Sequence, residues 1–250
     1  MNSAISTPSF SHTENPRSLT GFAQRLRQLM ETCEASGPML AAEVRAGAGG
    51  TSGRAALPRI DRAAAAVVKH LRRCRLSHGK VLTIGNGGSC VIAEHIAVDL
   101  ANRAGTRTRT CGSAPQLSAL ANDNHFEHAF AMWVDGEADA GDTLVAVSSS
   151  GESVNIRNAV RAARERGCTV VTFSGFSPDN PLRTLGDLNF YVSSSHYGEV
   201  EVTHEAIAHF ITDECVDLAA RDRSLDADAG QQGEPAPVIL PQPKPRPIQR

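Results

Sequence analysis

Between Lys80 and Val192, short apolar runs alternate with stretches whose apolar residues recur at helical spacing. The runs Val81–Ile84, Thr143–Val147, Thr169–Phe173 and Leu188–Val192 are too short for helices and predict strands, with a further strand at Thr106–Cys111. Helices are predicted at Ser89–Arg103, Gln116–Asn122, Phe126–Val134 and Ser153–Arg166. Gly167 closes the last of these, because glycine readily takes the left-handed conformation that ends a helix. Ahead of this region, Leu19–Ala35 carries Phe22, Leu26, Leu29 and Met30 on one helical face. Helices at Pro38–Ala46 and Leu57–Cys74 follow, the latter with alanines at 63 to 66. A last helix is expected at Val200–Ala220. Strands alternating with helices imply an α/β fold, a doubly wound parallel sheet flanked by helices.

The folded part is read as residues 18–222, the N-terminal helices included. Residues 1–17 are rich in Ser, Thr, Asn and Pro, and residues 223–250 hold six prolines between Pro235 and Pro247. Neither stretch has the apolar content to pack a core, so both are expected to be disordered. The glycine-rich stretch Gly47–Gly53 is read as a flexible loop.

A net charge of -2 argues against a nucleic-acid or membrane-surface partner, which would need a concentrated basic face. The basic run His70–Arg75 lies near a helix end, where cations favour the dipole. Six scattered cysteines without a CxxC pair read as reduced thiols, and no apolar run reaches the roughly 20 residues of a membrane span. A cytoplasmic protein is the expectation.

Two turns carry candidate chemistry. Gly85-Asn86-Gly87-Gly88-Ser89 joins a strand to a helix, where glycines let backbone approach a ligand and the helix start offers N–H groups to an anion. The dinucleotide fingerprint fails, since Cys90 stands at the third glycine position, and a plain tight turn remains the alternative. Ser148-Ser149-Ser150-Gly151-Glu152-Ser153 likewise follows a strand and precedes a helix. Capping explains one serine there, not four around a glycine, so this turn is read as a phosphate cradle.

On the helix after the glycine turn, His95 and Asp99 are four apart and share a face, which suits a divalent metal or a proton-transfer pair. The last helix carries Glu201, His204, Glu205 and His209; spacing groups Glu201, Glu205 and His209. Asp123 ends a helix, where a cap is the ordinary role; His125 and His128 read as surface residues.

In order and spacing, four segments resemble the sugar isomerase (SIS) domain family, in its sedoheptulose 7-phosphate isomerase (phosphoheptose isomerase) group. They begin at Gly85 (GNGGSCVIAEHIAVDL), Ser118 (SALANDNHFEHAF), Val145 (VAVSSSGESVNIRNAVRAARERG) and Thr203 (THEAIAHFITDECVDL). The resemblance spans Leu19 to Ala220 and implies a flavodoxin-like three-layer sandwich. The implied activity is aldose–ketose isomerisation of sedoheptulose 7-phosphate, or a close long-chain sugar phosphate, through an enediol.

By correspondence with that family, Ser148, Ser149, Ser150 and Ser153 hold the phosphate, with Asn86, Gly87, Gly88 and Ser89 beside it. Asp123 contacts the sugar, and Glu201 joins the substrate positions. Asp99 and His209 are the catalytic pair. His95, Asp99, Glu201 and His209 are the positions of a divalent metal, expected to be zinc. Asp99 and Glu201 depart from the family's Glu and Gln. Where the correspondence selects Glu201 as partner of His209, spacing selects Glu205. A sugar-contacting Asp expected near residues 193–200 has no clear counterpart; Glu199 is the candidate. The resemblance further implies a homotetramer, with a dimer second. The rival reading is a non-catalytic SIS protein that binds a sugar phosphate or a regulatory protein.

Overall fold

The structure, a computed structural model, describes residues 18–47, 59–111 and 113–228. The segments 1–17, 48–58 and 229–250, with most of what was expected to be disordered or flexible, lie outside them. The chain opens with α1 (Leu19–Thr32), β1 (Glu34–Ser36), α2 (Pro38–Gly47) and α3 (Arg59–Leu76). It continues through β2 (Lys80–Gly85), α4 (Gly88–Asn102), β3 (Arg107–Thr110), α5 (Ala114–Asn124) and α6 (Phe126–Glu137). Then come β4 (Thr143–Ser148), α7 (Val154–Glu165), β5 (Thr169–Gly175), α8 (Leu182–Leu185), β6 (Leu188–Val192) and α9 (Tyr197–Asp228).

The six strands form one sheet in the order β1-β6-β5-β4-β2-β3. All neighbours are parallel except β1, which runs antiparallel to β6. The expected α/β class holds, with one addition. Residues 34–36, read as the end of the first helix, pair with the open edge of β6 instead. There their backbone groups find partners that a fraying helix end would not supply.

The inner strands β2, β4 and β6 are buried throughout, and successive side chains enter opposite layers. Val145 and Val147 join Val171, Phe173 and Phe190 under α3, α4 and α9. Leu144 and Ala146 join Ile84, Val170 and Leu182 under α6 and α7. The alanines of α3 and Leu29 of α1 belong to the first layer, so the N-terminal helices share the main core.

Helix α9 begins before Val200 and continues past Ala220. Its far part is tied to α3 by Asp222, whose carboxylate accepts from Arg72 Nε at 3.0 Å and Arg72 Nη2 at 2.7 Å, and also from Arg75. The Arg72 hydrogen bond holds the Asp222 carboxyl below the usual carboxylate range. The short α8 was not foreseen in the sequence.

His204 of α9 is fully buried, with its ring edge on Phe173 and its Nε2 donating to the Ser174 carbonyl at 3.1 Å. Its Nδ1 finds no hydrogen-bond partner. Burial pushes the imidazole down to about 4. The unfolded chain, with an ordinary histidine near 6.5, therefore binds this proton first on acidification, and stability falls with pH between about 6.5 and 4. The expected loss from this residue is about 3 kcal/mol by pH 4. Denaturant unfolding across that range checks it: His204→Gln should flatten the wild-type slope, and an unchanged slope would contradict the assignment.

Candidate active site

Strand β2 has β3 on one side and β4 on the other, so successive connections leave it in opposite directions. In an open parallel sheet the crevice beyond such a reversal is where ligands bind. The glycine turn follows β2 and the serine turn follows β4, on the two strands flanking this point. They line one cleft of roughly 270 Å³ made by Asn86, Gly87, Gly88, Ser89, Ser148, Ser149, Ser150, Ser153, Tyr197 and Glu201.

The turns are braced against each other. Asn86 and Asn155 exchange side-chain amide bonds at 3.0 and 2.9 Å, and Ser89 Oγ lies 3.4 Å from Ser149 Oγ. Ser148 Oγ accepts from the Gly151 amide at 3.2 Å and donates to Ser153 Oγ at 3.4 Å. Capping was the alternative use for these serines. Ser153 is the N-cap residue of α7, yet its side chain makes no capping bond, and neither helix entering the cleft is capped by a side chain. Free N–H groups and hydroxyls converge on a cleft that no Lys or Arg lines. Such a surface satisfies a phosphate through dipoles.

The second cluster lies on the seam between α4 and α9. His95 and Asp99 of α4 meet His209 of α9, each offering a ligand atom within 4.8 Å of the other two. The rings of His95 and His209 stand edge to face at 4.5 Å. Asp99 Oδ2 lies 3.6 Å from His209 Nδ1 and accepts from Thr212 Oγ1 at 3.3 Å and Arg103 Nη1 at 3.4 Å. Two imidazoles and a carboxylate are zinc donors, and tetrahedral ligand atoms on zinc sit about 3.3 Å apart, within reach of small side-chain rotations.

Glu201 was expected at both the substrate and the metal positions; it lines the cleft and is not one of the three residues whose ligand atoms come together. It sits two helical turns before His209, against the glycine turn: a Cβ at Gly88 would lie 2.6 Å from both of its carboxylate oxygens. Glu205, preferred by spacing, lies beside the histidines, with Oε1 2.6 Å from His95 Nδ1 and 3.3 Å from His209 Nε2. Asp123 does not reach the cleft. It is exposed at the end of α5, accepting from its neighbour Asn122. Glu199 is buried and committed, bonded by Ser194 Oγ at 2.5 Å and 3.5 Å from Arg25 Nε, which fastens α9 to α1. Sequence reasoning missed Tyr197, Thr212 and Asn155. Tyr197 escaped because the last helix was started three residues too late.

These features have counterparts in known proteins. Residues 54–175 match the SIS domain model, and the chain belongs to the SIS-domain family. Over 165 residues it is 41% identical to a phosphoheptose isomerase of Bradyrhizobium sp., covering 63% of this chain and 80% of that protein. A Rhodospirillum rubrum phosphoheptose isomerase is 35% identical over 160 residues, 62% of this chain and 82% of the relative. The solved phosphoheptose isomerase GmhA from Neisseria gonorrhoeae superposes with a TM-score of 0.59 at 27% identity, covering 70% of this chain and 94% of that one. Within the family, the chain falls in the phosphoheptose isomerase group.

Gly151 gives the cradle its shape. Its φ is +66°, and an added Cβ would lie 2.0 Å from the side chain of buried Asn180. Gly151→Ala should cost about 2 kcal/mol and lower Tm by about 4–8 °C. Scanning calorimetry checks this; a variant melting with the wild type would show that the turn tolerates a side chain.

Proposed function

We propose that this chain is an aldose–ketose isomerase that interconverts sedoheptulose 7-phosphate, or a close long-chain sugar phosphate, with its aldose through an enediol. One observation carries the reading. Helix α4 begins in the phosphate-type cleft and carries His95 and Asp99 farther along the same helix, where they meet His209. The rise from Ser89 to His95 is about 9 Å, a separation suited to a substrate with phosphate at one end and a carbonyl near the other.

In this mechanism the serine and glycine turns hold the phosphate, and Glu201 and Tyr197 face the sugar chain. Glu201 cannot favour an anion, but as a carboxylate it accepts from sugar hydroxyls. The Asp99 carboxylate takes the proton from the carbon beside the carbonyl, while His209 gives a proton to the carbonyl oxygen. Asp99 then returns the proton to the carbon that bore the carbonyl, and His209 takes the proton of the neighbouring hydroxyl as the new carbonyl forms. Zinc, held by His95, Asp99 and His209, would supply Lewis-acid stabilisation of the developing negative oxygen.

Self-association, as a homotetramer before a dimer, belongs to the same proposal. Val91 and Val98 of α4 and Val202 and Phe210 of α9 are exposed around the histidine cluster, an apolar surface that a second copy would cover. The exposed Asp123 would then serve the cleft of a neighbouring subunit. A cytoplasmic location is proposed on the reduced cysteines: all six are free, and burial raises Cys33 to about 12. No helix among the described residues is long and apolar enough to cross a membrane.

The test is conversion of sedoheptulose 7-phosphate followed by NMR. Asp99→Asn should lower kcat by 10²–10⁴-fold, the usual range for losing an acid–base group, with little change in KM. Ser150→Ala combined with Ser153→Ala should abolish sugar-phosphate binding with an unchanged circular dichroism spectrum. Wild-type protein inert with and without zinc, or a double serine variant with unaltered affinity, would refute the proposal.

A further inference from the structure

Residues 176–181 join β5 to α8 and do not line the cleft, yet they and Gly175 close behind its serine turn. A Cβ at Gly175 would lie 3.0 Å from the Ser149 carbonyl oxygen and 2.8 Å from the Val200 side chain, so the end of β5 is wedged between the turn and α9. Phe176 follows in the left-handed region, at φ +59°. A bulky residue keeps that conformation only where its surroundings fix it. Here its amide donates to the Ser194 carbonyl at 2.9 Å, its carbonyl accepts from Tyr191 Oη at 3.0 Å, and its ring meets that of Tyr197 at 4.9 Å. The loop is thus fixed at one end. At the other stands Asn180, which is 1% exposed. Its Nδ2 donates to the carbonyls of Gly175 at 3.0 Å and Ser177 at 2.7 Å. Those two bonds settle the orientation of the amide, because the reverse would set Oδ1 against two acceptors. Oδ1 therefore faces Gly151 of the serine turn, where a Cβ would lie 2.0 Å from it, and it is buried without a hydrogen-bond partner.

We infer that Asn180 is a positioning residue for the phosphate cradle: it acts through Gly151 and fixes the serine turn in its ligand-binding shape without touching the ligand. The inference rests on the phosphate reading of the cleft. Leaving Oδ1 unpaired is unfavourable, and what it meets is the Gly151 Cα, whose hydrogen stands in the Cβ direction. The contact blocks movement of Gly151 toward the loop. Gly151, at φ +66°, in turn donates its amide to the Ser148 carbonyl at 3.0 Å and to Ser148 Oγ at 3.2 Å. Ser148 Oγ leads on to Ser153 Oγ at 3.4 Å. A displacement of Gly151 is therefore felt by hydroxyls on both sides of it. No Lys or Arg lines the cleft, so phosphate affinity depends on several neutral donors pointing at one place together. Binding costs less when those donors are ordered beforehand, and a buried strut behind the turn supplies that order.

The experiment measures sedoheptulose 7-phosphate binding to the full chain by titration calorimetry, turnover by NMR, and Tm by scanning calorimetry. Asn180→Ala should weaken binding by about 10-fold, the equivalent of one or two hydrogen bonds to the phosphate. KM should rise in step while kcat changes little, because the reacting groups lie farther along α4. Asn180→Ser, which keeps a hydroxyl donor for the loop carbonyls but removes the Oδ1 contact, should do the same, and it serves where the alanine variant does not fold. The contact itself is tested without any sugar. Gly151→Ala should lower Tm less in the Asn180→Ala background than in the wild type, since the side chain it strikes is gone. Strictly additive losses of Tm would overturn the inference. So would Asn180 variants that melt lower yet bind the sugar phosphate as tightly as the wild type, or that lose kcat with KM unchanged. Wild-type protein that does not bind sedoheptulose 7-phosphate would overturn the phosphate reading itself, and this inference with it.

Discussion

The packing of α4 against α9 is the constraint on which the candidate site depends. Both helices lie on one face of the sheet and share the core layer through Ile92, Ile96, Ala208 and Ile211. Side chains four apart share a helical face, so seating these apolar residues brings His95 and Asp99 of one helix to Glu205 and His209 of the other. Thr212, one turn along from buried Ala208, reaches Asp99 across the same seam. The polar cluster is therefore positioned by burial that has nothing polar in it. The buried apolar area under α4 and α9 is what holds two carboxylates and two imidazoles within 4 Å of a neighbour in the cluster.

The site is electrically polarised along α4. At its start, the uncapped helix ends and the hydroxyls of the serine turn offer donors and no cation. Farther along, Asp99 and Glu205 make the surface acidic. A sugar phosphate would be oriented by this difference alone, its dianionic end drawn to the helix N-termini and its neutral end left toward the carboxylates. Glu201 stands at the boundary, packed on Gly88. In the proposed mechanism it limits where the phosphate can settle, because a second anion cannot share its side of the cleft.

Much of this was legible in the chain itself. The apolar runs at residues 81–84, 143–147, 169–173 and 188–192 are strands because they are buried on both faces, which periodicity and length reveal locally. The serine turn was legible for the same reason: its position after a strand and before a helix is written in neighbouring residues. Features that depend on distant partners were not. Residues 34–36 read as helix because the edge of β6, more than 150 residues away, is invisible to local spacing. Where the two carboxylates Glu201 and Glu205 fall depends on where α4 lies: the structure puts the first at the glycine turn and the second beside His95. Glu199, the candidate for the sugar-contacting position, is bound by Arg25 and Ser194, partners that local spacing does not show.

The central claim is that a carboxylate and an imidazole on this seam move a proton between adjacent carbons of a phosphorylated sugar. The most direct measurement is isomerisation in deuterated water with mass and NMR analysis of the aldose. The account predicts solvent deuterium at the carbon next to the product's carbonyl, because the abstracted proton passes through protein groups in contact with water. Aldose formed with the original hydrogen fully retained at high solvent deuterium would mean a direct hydride shift, and would contradict the account.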